Sequence, residues 1–207
     1  MSFLDPIYNK NIKNNLASLE KSEELINLFT VLQNEISVSF PAKITAVTSI
    51  KDDNLAASFA KAYALTYAHN GFKALIIDAN LYNPCLEGLL GGSDAEVSVD
   101  KKEESYKFIS INEKVSAICL NKNTYPSNVY KAGVIQKFVE DNKEEYSHVV
   151  VLVPSVEEHK EVILLKEVID SIILVTQKNV TKKGHIYNAG AFFHEASLPL
   201  AKVVVLK

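Results

Sequence analysis

From Ser22 onward the apolar residues of this chain fall into two rhythms. The first is helical: Leu25, Ile26, Leu28, Phe29, Leu32 and Ile36 recur every three or four residues, the stripe of an amphipathic helix that is held by packing on one face. Ser22 is placed to cap it, and Glu23 and Glu24 suit the positive end of its dipole. Leu25 at the third position excludes a capping box, and Pro41 marks the break after the helix. The second rhythm is a set of five short unbroken apolar runs, Ile44 to Thr48, Ala74 to Ile77, Val149 to Val153, Ile172 to Val175 and Val203 to Leu206. These runs lack the polar alternation of a sheet with one wet face, so they predict strands covered on both sides. Helical connectors are predicted at Leu55 to His69, Val129 to Asn142, Val162 to Val168 and Lys182 to Glu195. Several are long enough to return the chain for a parallel crossover. The pattern predicts an α/β fold of three layers: a mostly parallel, doubly wound sheet between helices, with one helix ahead of the first strand. The polar stretch Gly91 to Tyr106 predicts a surface loop, and Lys107 to Leu120 a minor β element. Residues 1–21, rich in Asn and Lys with Leu16 and Leu19 as apolar marks, form a polar arm ahead of a single domain spanning 22–207.

Composition narrows the classes. With 47% hydrophobic and 23% charged residues over 207 positions, the chain can bury one substantial core. No apolar run approaches the ~20 residues that cross a bilayer. The start, Met1-Ser-Phe-Leu-Asp-Pro6, lacks the basic and apolar regions of a secretory signal, so the expected location is the cytoplasm. A net charge of −3 without a basic cluster carrying interleaved aromatics argues against a nucleic-acid partner. Cys85 and Cys119 lie among apolar neighbours without metal-type spacing and read as buried free thiols. The histidines at 69, 148, 159, 185 and 194 fit no metal-ligand spacing. Ser155 lacks the Gly-x-Ser-x-Gly setting of a hydrolase nucleophile.

In a parallel α/β sheet, ligands bind beyond the carboxyl ends of the strands, and the loop leaving the first strand is the first candidate. Here that loop is Ser49-Ile-Lys-Asp-Asp-Asn54. A phosphate cradle needs glycines so that backbone N–H groups can wrap the anion, a lysine for its charge and a Ser or Thr for magnesium. This loop has no glycine; the first in the chain is Gly71. Lys51 is its only cation, while Asp52 and Asp53 fall where the following helix begins, placed to cap its free N–H groups. A triphosphate there would meet negative charge, and like charges ~4 Å apart at a protein surface cost about 4 kcal/mol.

The order of these segments resembles the bacterial tyrosine kinases of capsule and exopolysaccharide synthesis, relatives of the ParA/MinD-type ATPases. Four stretches carry the likeness: the helix from Glu24 to Ile36; Ile44-Thr-Ala-Val-Thr-Ser49 with the helix Leu55-Ala-Ala-Ser-Phe-Ala-Lys-Ala-Tyr-Ala64; Gly71-Phe-Lys-Ala-Leu-Ile-Ile-Asp-Ala-Asn-Leu-Tyr-Asn-Pro84; and Tyr125-Pro-Ser-Asn128 through Glu145-Tyr-Ser-His-Val-Val-Val-Leu-Val-Pro154. The resemblance implies a sheet of the P-loop NTPase type. Residue by residue it mostly records losses. Of the family's Asp-x-Asp-x-Arg pattern, Asp78 is kept, but Asn80 and Tyr82 stand at the other two positions. Leu152 stands where the family carries the Asp of its third acidic motif, and a leucine cannot hold a metal-bound water. The arginines of the oligomerisation motif are replaced by uncharged residues such as Asn27, Thr30 and Gln33.

The resemblance therefore implies a pseudoenzyme with no catalytic residues, no bound cofactor and no metal. Lys51, Asp52, Asp53, Asp78, Asn80 and Leu152 would mark the remnant of the nucleotide site. The implied partner is a protein of surface-polysaccharide assembly, either the cytoplasmic tail of a membrane chain-length regulator or a kinase paralogue that recruits the chain to the inner face of the membrane. Two other readings stay open: ATP bound by an altered route through Lys51, Asp78 and Asn80, and a ParA/MinD-like localisation scaffold that forms a homodimer without nucleotide.

Overall fold

A computed structural model of the chain describes residues 23–39, 43–90, 96–98, 106–120, 129–130 and 133–206. Helix α1 (Glu23–Ser39) leads into β1 (Ile44–Ser49), α2 (Asp53–His69), β2 (Ala74–Asp78) and a short α3 (Leu86–Leu90). Strands β3 (Glu96–Ser98), β4 (Tyr106–Ser110) and β5 (Val115–Leu120) follow, then α4 (Val134–Asn142) and β6 (His148–Leu152). A 3-10 turn at Glu161–Leu165, β7 (Ser171–Gln177), α5 (Lys183–Glu195) and β8 (Leu200–Leu206) complete the described chain. The strands form one eight-stranded sheet in the order β3-β4-β5-β2-β6-β1-β7-β8. Only the β3-β4 and β4-β5 pairs are antiparallel; every other pair is parallel. This is the three-layer, doubly wound α/β architecture that the apolar runs predict.

Alternate residues of the central strands feed two cores. Val47, Ile76, Val150 and Ile173 face α1 and α2, whereas Ala46, Leu75, Val149 and Ile172 face α4 and α5. Helix α2 is enclosed by the sheet on one side and α1 on the other, which its run of buried alanines at 56, 57, 60, 62 and 64 permits. A ladder of rings fastens α1 across it. Phe29 lies 5.1 Å from Phe59, Phe59 stacks on Tyr63 at 5.9 Å, Tyr63 meets Tyr67 edge-on at 5.2 Å, and Tyr67 stacks on His148 at 3.6 Å. The buried Gln33 Nε2 donates to the Tyr63 carbonyl at 2.8 Å, so this buried amide is satisfied.

Three elements differ from the sequence pattern. The 107–120 stretch is a full hairpin in which β5 is buried along its whole length and pairs with β2, carrying the sheet onward. The helix expected over Val129 to Asn142 is not continuous: Val129 and Tyr130 are helical, but Gly133 takes a left-handed conformation at φ 69°, and α4 runs from Val134. The connector at Val162 to Val168 is a 3-10 turn followed by turns. The expected cap Ser22, the arm 1–21 and most of the 91–106 loop lie outside the described residues, although Glu96–Ser98 within that loop forms β3.

Candidate functional site

The candidate site lies at the carboxyl ends of β1, β6 and β2, which are adjacent in the sheet. Register places Val47, Leu152 and Asp78 in one line across them. The loop leaving β1 is short. Asp52 caps α2: its Oδ1 accepts the Leu55 N–H at 3.0 Å, and its carbonyl accepts the Ala56 N–H at 3.2 Å. Asp53, which the sequence places as a second cap, is used otherwise. Its Oδ1 accepts the Ser155 N–H at 3.0 Å and its Oδ2 accepts from Asn83 Nδ2 at 3.2 Å. One carboxylate thus ties the loop after β1 to the loops after β6 and β2. Two further bonds seal β1 against the β6 loop: Thr48 Oγ1 donates to the Pro154 carbonyl at 2.8 Å, and the Val156 N–H donates to the Ser49 carbonyl at 3.0 Å.

Lys51 points away from this knot. Its side chain is 59% exposed, with Nζ 3.6 Å from Glu157 Oε1. The same oxygen lies 2.6 Å from His185 Nδ1.

Asp78 ends β2 with 1% of its surface exposed. Its Oδ1 accepts the Asn80 N–H at 3.1 Å and its Oδ2 accepts the Leu86 N–H at 3.2 Å. Burial is the dominant influence and pushes its carboxyl up to about 6; the nearby Asp53 charge pushes the same way, while the backbone N–H bonds pull back. Asn80 is fully buried, and its Oδ1 accepts the Asn83 N–H at 3.1 Å. Leu152 is also fully buried. Tyr82 swings outward, stacks on His159 at 3.6 Å between ring centres and hydrogen-bonds Glu161. Cys119 is a buried free thiol as expected, whereas Cys85 is only partly buried; both thiols are pushed up to about 12, chiefly by burial, and so stay protonated.

The structure brings Asp53, Asp78 and Asn80 into one buried network and leaves Lys51 outside it. It also shows three polar atoms that no sequence pattern signals. Ser49 Oγ, Asn80 Nδ2 and Ser155 Oγ are buried and find no hydrogen-bond partner among the described residues.

A magnesium nucleotide needs free N–H groups at the start of a helix, a cation and ionised carboxylates with oxygens to spare. These residues do not fit it. Asp52 places its carboxylate at the start of α2 on the Leu55 N–H, Asp53 and Asp78 each spend both oxygens on protein donors, and Leu152 supplies no ligand. Among the described residues no group of three or more His, Cys, Asp or Glu side chains is placed to hold a metal. A larger groove, of about 380 Å³, lies by Ile26, Leu65, His69 and the turn at 112–114, near the opposite ends of the parallel strands and far from this chemistry.

No protein-family model and no curated protein sequence matches the chain. Solved structures do. The chimerical protein CapA2B2 superposes with a TM-score of 0.76 at 16% identity, over 95% of this chain and 90% of that one. The kinase domain of the Escherichia coli tyrosine kinase ETK gives 0.74 at 14% identity, over 99% and 84%. A ParA family ATPase from Chlorobium tepidum gives 0.57 at 14% identity, over 79% and 72%. At such identities the likeness speaks of the fold. This chain has the fold of the bacterial tyrosine kinase domains, a P-loop NTPase-type α/β sheet that ParA proteins share.

Proposed function

We propose that this chain is a non-catalytic relative of the tyrosine kinases of capsule and exopolysaccharide synthesis, working in surface-polysaccharide assembly by binding another protein. One observation carries the reading: Asp52 and Asp53, in the loop where a phosphate cradle would lie, are consumed as structural acceptors by Leu55, Ser155 and Asn83. Phosphoryl transfer is largely positioning and charge neutralisation, in which a single cationic group contributes ~10³ to 10⁵ in rate. Here the glycine-rich loop and two of the family's carboxylates are replaced together, and the one cation of the loop pairs with Glu157.

The scaffold around that loop is meanwhile kept and well packed, which suits a protein that presents a surface. The partner we infer is the cytoplasmic tail of a membrane chain-length regulator or a catalytically competent kinase paralogue, met at the inner face of the membrane. No helix among the described residues is long and apolar enough to cross a membrane, so recruitment by a partner is the simplest route there. Two of the α1 positions at which the resemblance puts the oligomerisation arginines, Thr30 and Gln33, are used inside this subunit. Gln33 is bonded to Tyr63, and Thr30 Oγ1 donates to the Ile26 carbonyl and accepts from Asn70 Nδ2. We therefore propose that the chain joins its partner without forming the kinase ring. Affinity capture of the tagged full chain from its native cells tests this: recovery of a polysaccharide-assembly membrane protein or a kinase paralogue supports it, and reproducible capture without either contradicts it.

A further inference from the structure

The two edges of the sheet are built differently. One is β3, three residues long. The other is β8, seven residues from Leu200 to Leu206, which pairs with β7 on one side and, among the described residues, with no strand on the other. Proteins keep such edges from pairing by making them short, or with charge, proline or a bulge. In β8 these devices sit at its start. Pro199 precedes the strand, and the register with β7 shifts between the Leu200 and Lys202 pairs. Lys202, its one charged residue, turns back onto α1, where Nζ lies 2.6 Å from Glu35 Oε2. From Val203 to Leu206 the strand carries only valine and leucine.

The main-chain groups of this stretch are half used. Thr176 Oγ1 donates to the Val204 carbonyl at 3.1 Å and the Lys178 N–H to the Leu206 carbonyl at 2.7 Å, so Val204 and Leu206 direct their polar groups toward β7. Direction alternates along a strand. The N–H and C=O of Val203 and Val205 therefore face outward, with no partner among the described residues. The side chains beside them are apolar as well. Val205 is 36% exposed. On α1, Leu28 borders a crevice with Val204 and Leu206, and Glu35 meets Lys202. Val31, one turn from each on the same helix face, is 52% exposed.

We propose that the outer edge of β8 is an interface between two copies of this chain, which pair antiparallel across a two-fold axis at Val204 and join their sheets. The edge is complementary to itself. With the axis at Val204, Val203 of one copy faces Val205 of the other, and each such pair exchanges both of its N–H···O bonds. Val204 meets Val204, and Lys202 falls opposite Leu206, so valines pair across the strands and no like charges are opposed. Glu35 of the same subunit already neutralises Lys202, which leaves the strip nothing to offer an acidic or basic peptide. The complement it fits is an uncharged, β-branched strand like itself. Two-fold pairing also uses up both exposed edges and so closes the assembly at two copies. The pairing does not depend on whether the crevice binds nucleotide, and it stands apart from the non-catalytic reading.

Sedimentation equilibrium of the full chain, with amide hydrogen exchange on the same samples, tests this. The expected result is a monomer–dimer equilibrium with a Kd in the micromolar range, in which the Val203 and Val205 amides become protected as concentration rises. Val205→Lys places a charge on the edge at an exposed position, so the melting temperature of the monomer holds while dimerisation weakens about tenfold or more. Val205→Pro, which removes an outward N–H, should do the same. A chain that stays monomeric at about 100 μM overturns the proposal, as does a dimer that both variants leave unchanged or in which the two amides exchange freely. Protection of those amides that does not vary with concentration assigns the edge to another segment of this chain, and overturns it too.

Discussion

The carboxylate of Asp53 accepts the backbone N–H of Ser155, 102 positions further along the chain, at 3.0 Å. With its other oxygen it holds Asn83, so a single side chain sets the spacing of the three loops that leave β1, β2 and β6. In a nucleotide-binding sheet the same space belongs to phosphate and metal. Here a protein anion, the Asp53 carboxylate, bridges the loops that border the crevice.

Removing that tie should loosen all three loops at once. Asp53→Ala is expected to cost about 1–3 kcal/mol, because the Ser155 N–H is left without its acceptor in a half-buried place. Asp53→Asn, which keeps one acceptor oxygen, should cost less. Urea unfolding at pH 7 measures both, and equal stabilities for wild type and Asp53→Ala would show that the knot contributes nothing.

The neighbouring Asp52 acts locally, through the Leu55 N–H. Asp52→Ala should cost about 1 kcal/mol and Asp52→Asn only a few tenths, the pattern of an N-cap. A larger loss for Asn than for Ala, read from thermal melts, would contradict that role.

Asp78 gives the chain a pH dependence of definite sign. Its folded carboxyl sits at about 6, above the usual carboxylate range near 4, because it is buried. The folded state therefore holds its proton more tightly than the unfolded chain does. The stability from this group is full below about pH 4 and is lost as pH rises to about 6, a change of about 2–3 kcal/mol. Asp78→Asn removes the titration, so its stability relative to wild type should improve steadily from pH 4 to pH 7 in urea series. A difference that is flat over this range would refute the assignment.

A second carboxylate beside Asp78 should harm this protein. Asn80 is fully buried, and its Oδ1 is bonded to the Asn83 N–H, so Asn80→Asp adds a desolvated negative charge close to Asp78. At pH 8 the variant should lose about 3 kcal/mol, the equivalent of a two-unit rise in its carboxyl pKa, and it should recover much of this at pH 4. If Asn80→Asp were as stable as wild type at pH 8, the crevice would be wetter and more accommodating than the structure shows.

The fold was legible wherever a local rhythm set it. The five continuous apolar runs became β1, β2, β6, β7 and β8, and the stripe from Leu25 to Ile36 became the buried face of α1. Strand β5 was harder to see. Val115-Ser-Ala-Ile-Cys-Leu120 carries a serine and small residues, and its place beside β2 is set by a parallel pairing with residues 41 positions earlier, from Ala74↔Val115 to Asp78↔Cys119, which no local pattern encodes. At the site, the Asp52 cap could be read from its position ahead of a helix. The partners of Asp53 could not, since Asn83 and Ser155 reach it only through the order of strands.

The most direct test of the account is calorimetry of the full chain with Mg-ATP. A glycine-free loop whose two carboxylates are committed to Leu55, Ser155 and Asn83 meets a triphosphate with negative charge, so the prediction is no saturable heat with nucleotide at millimolar concentration. Saturable binding in the micromolar range, about −8 kcal/mol, would contradict it.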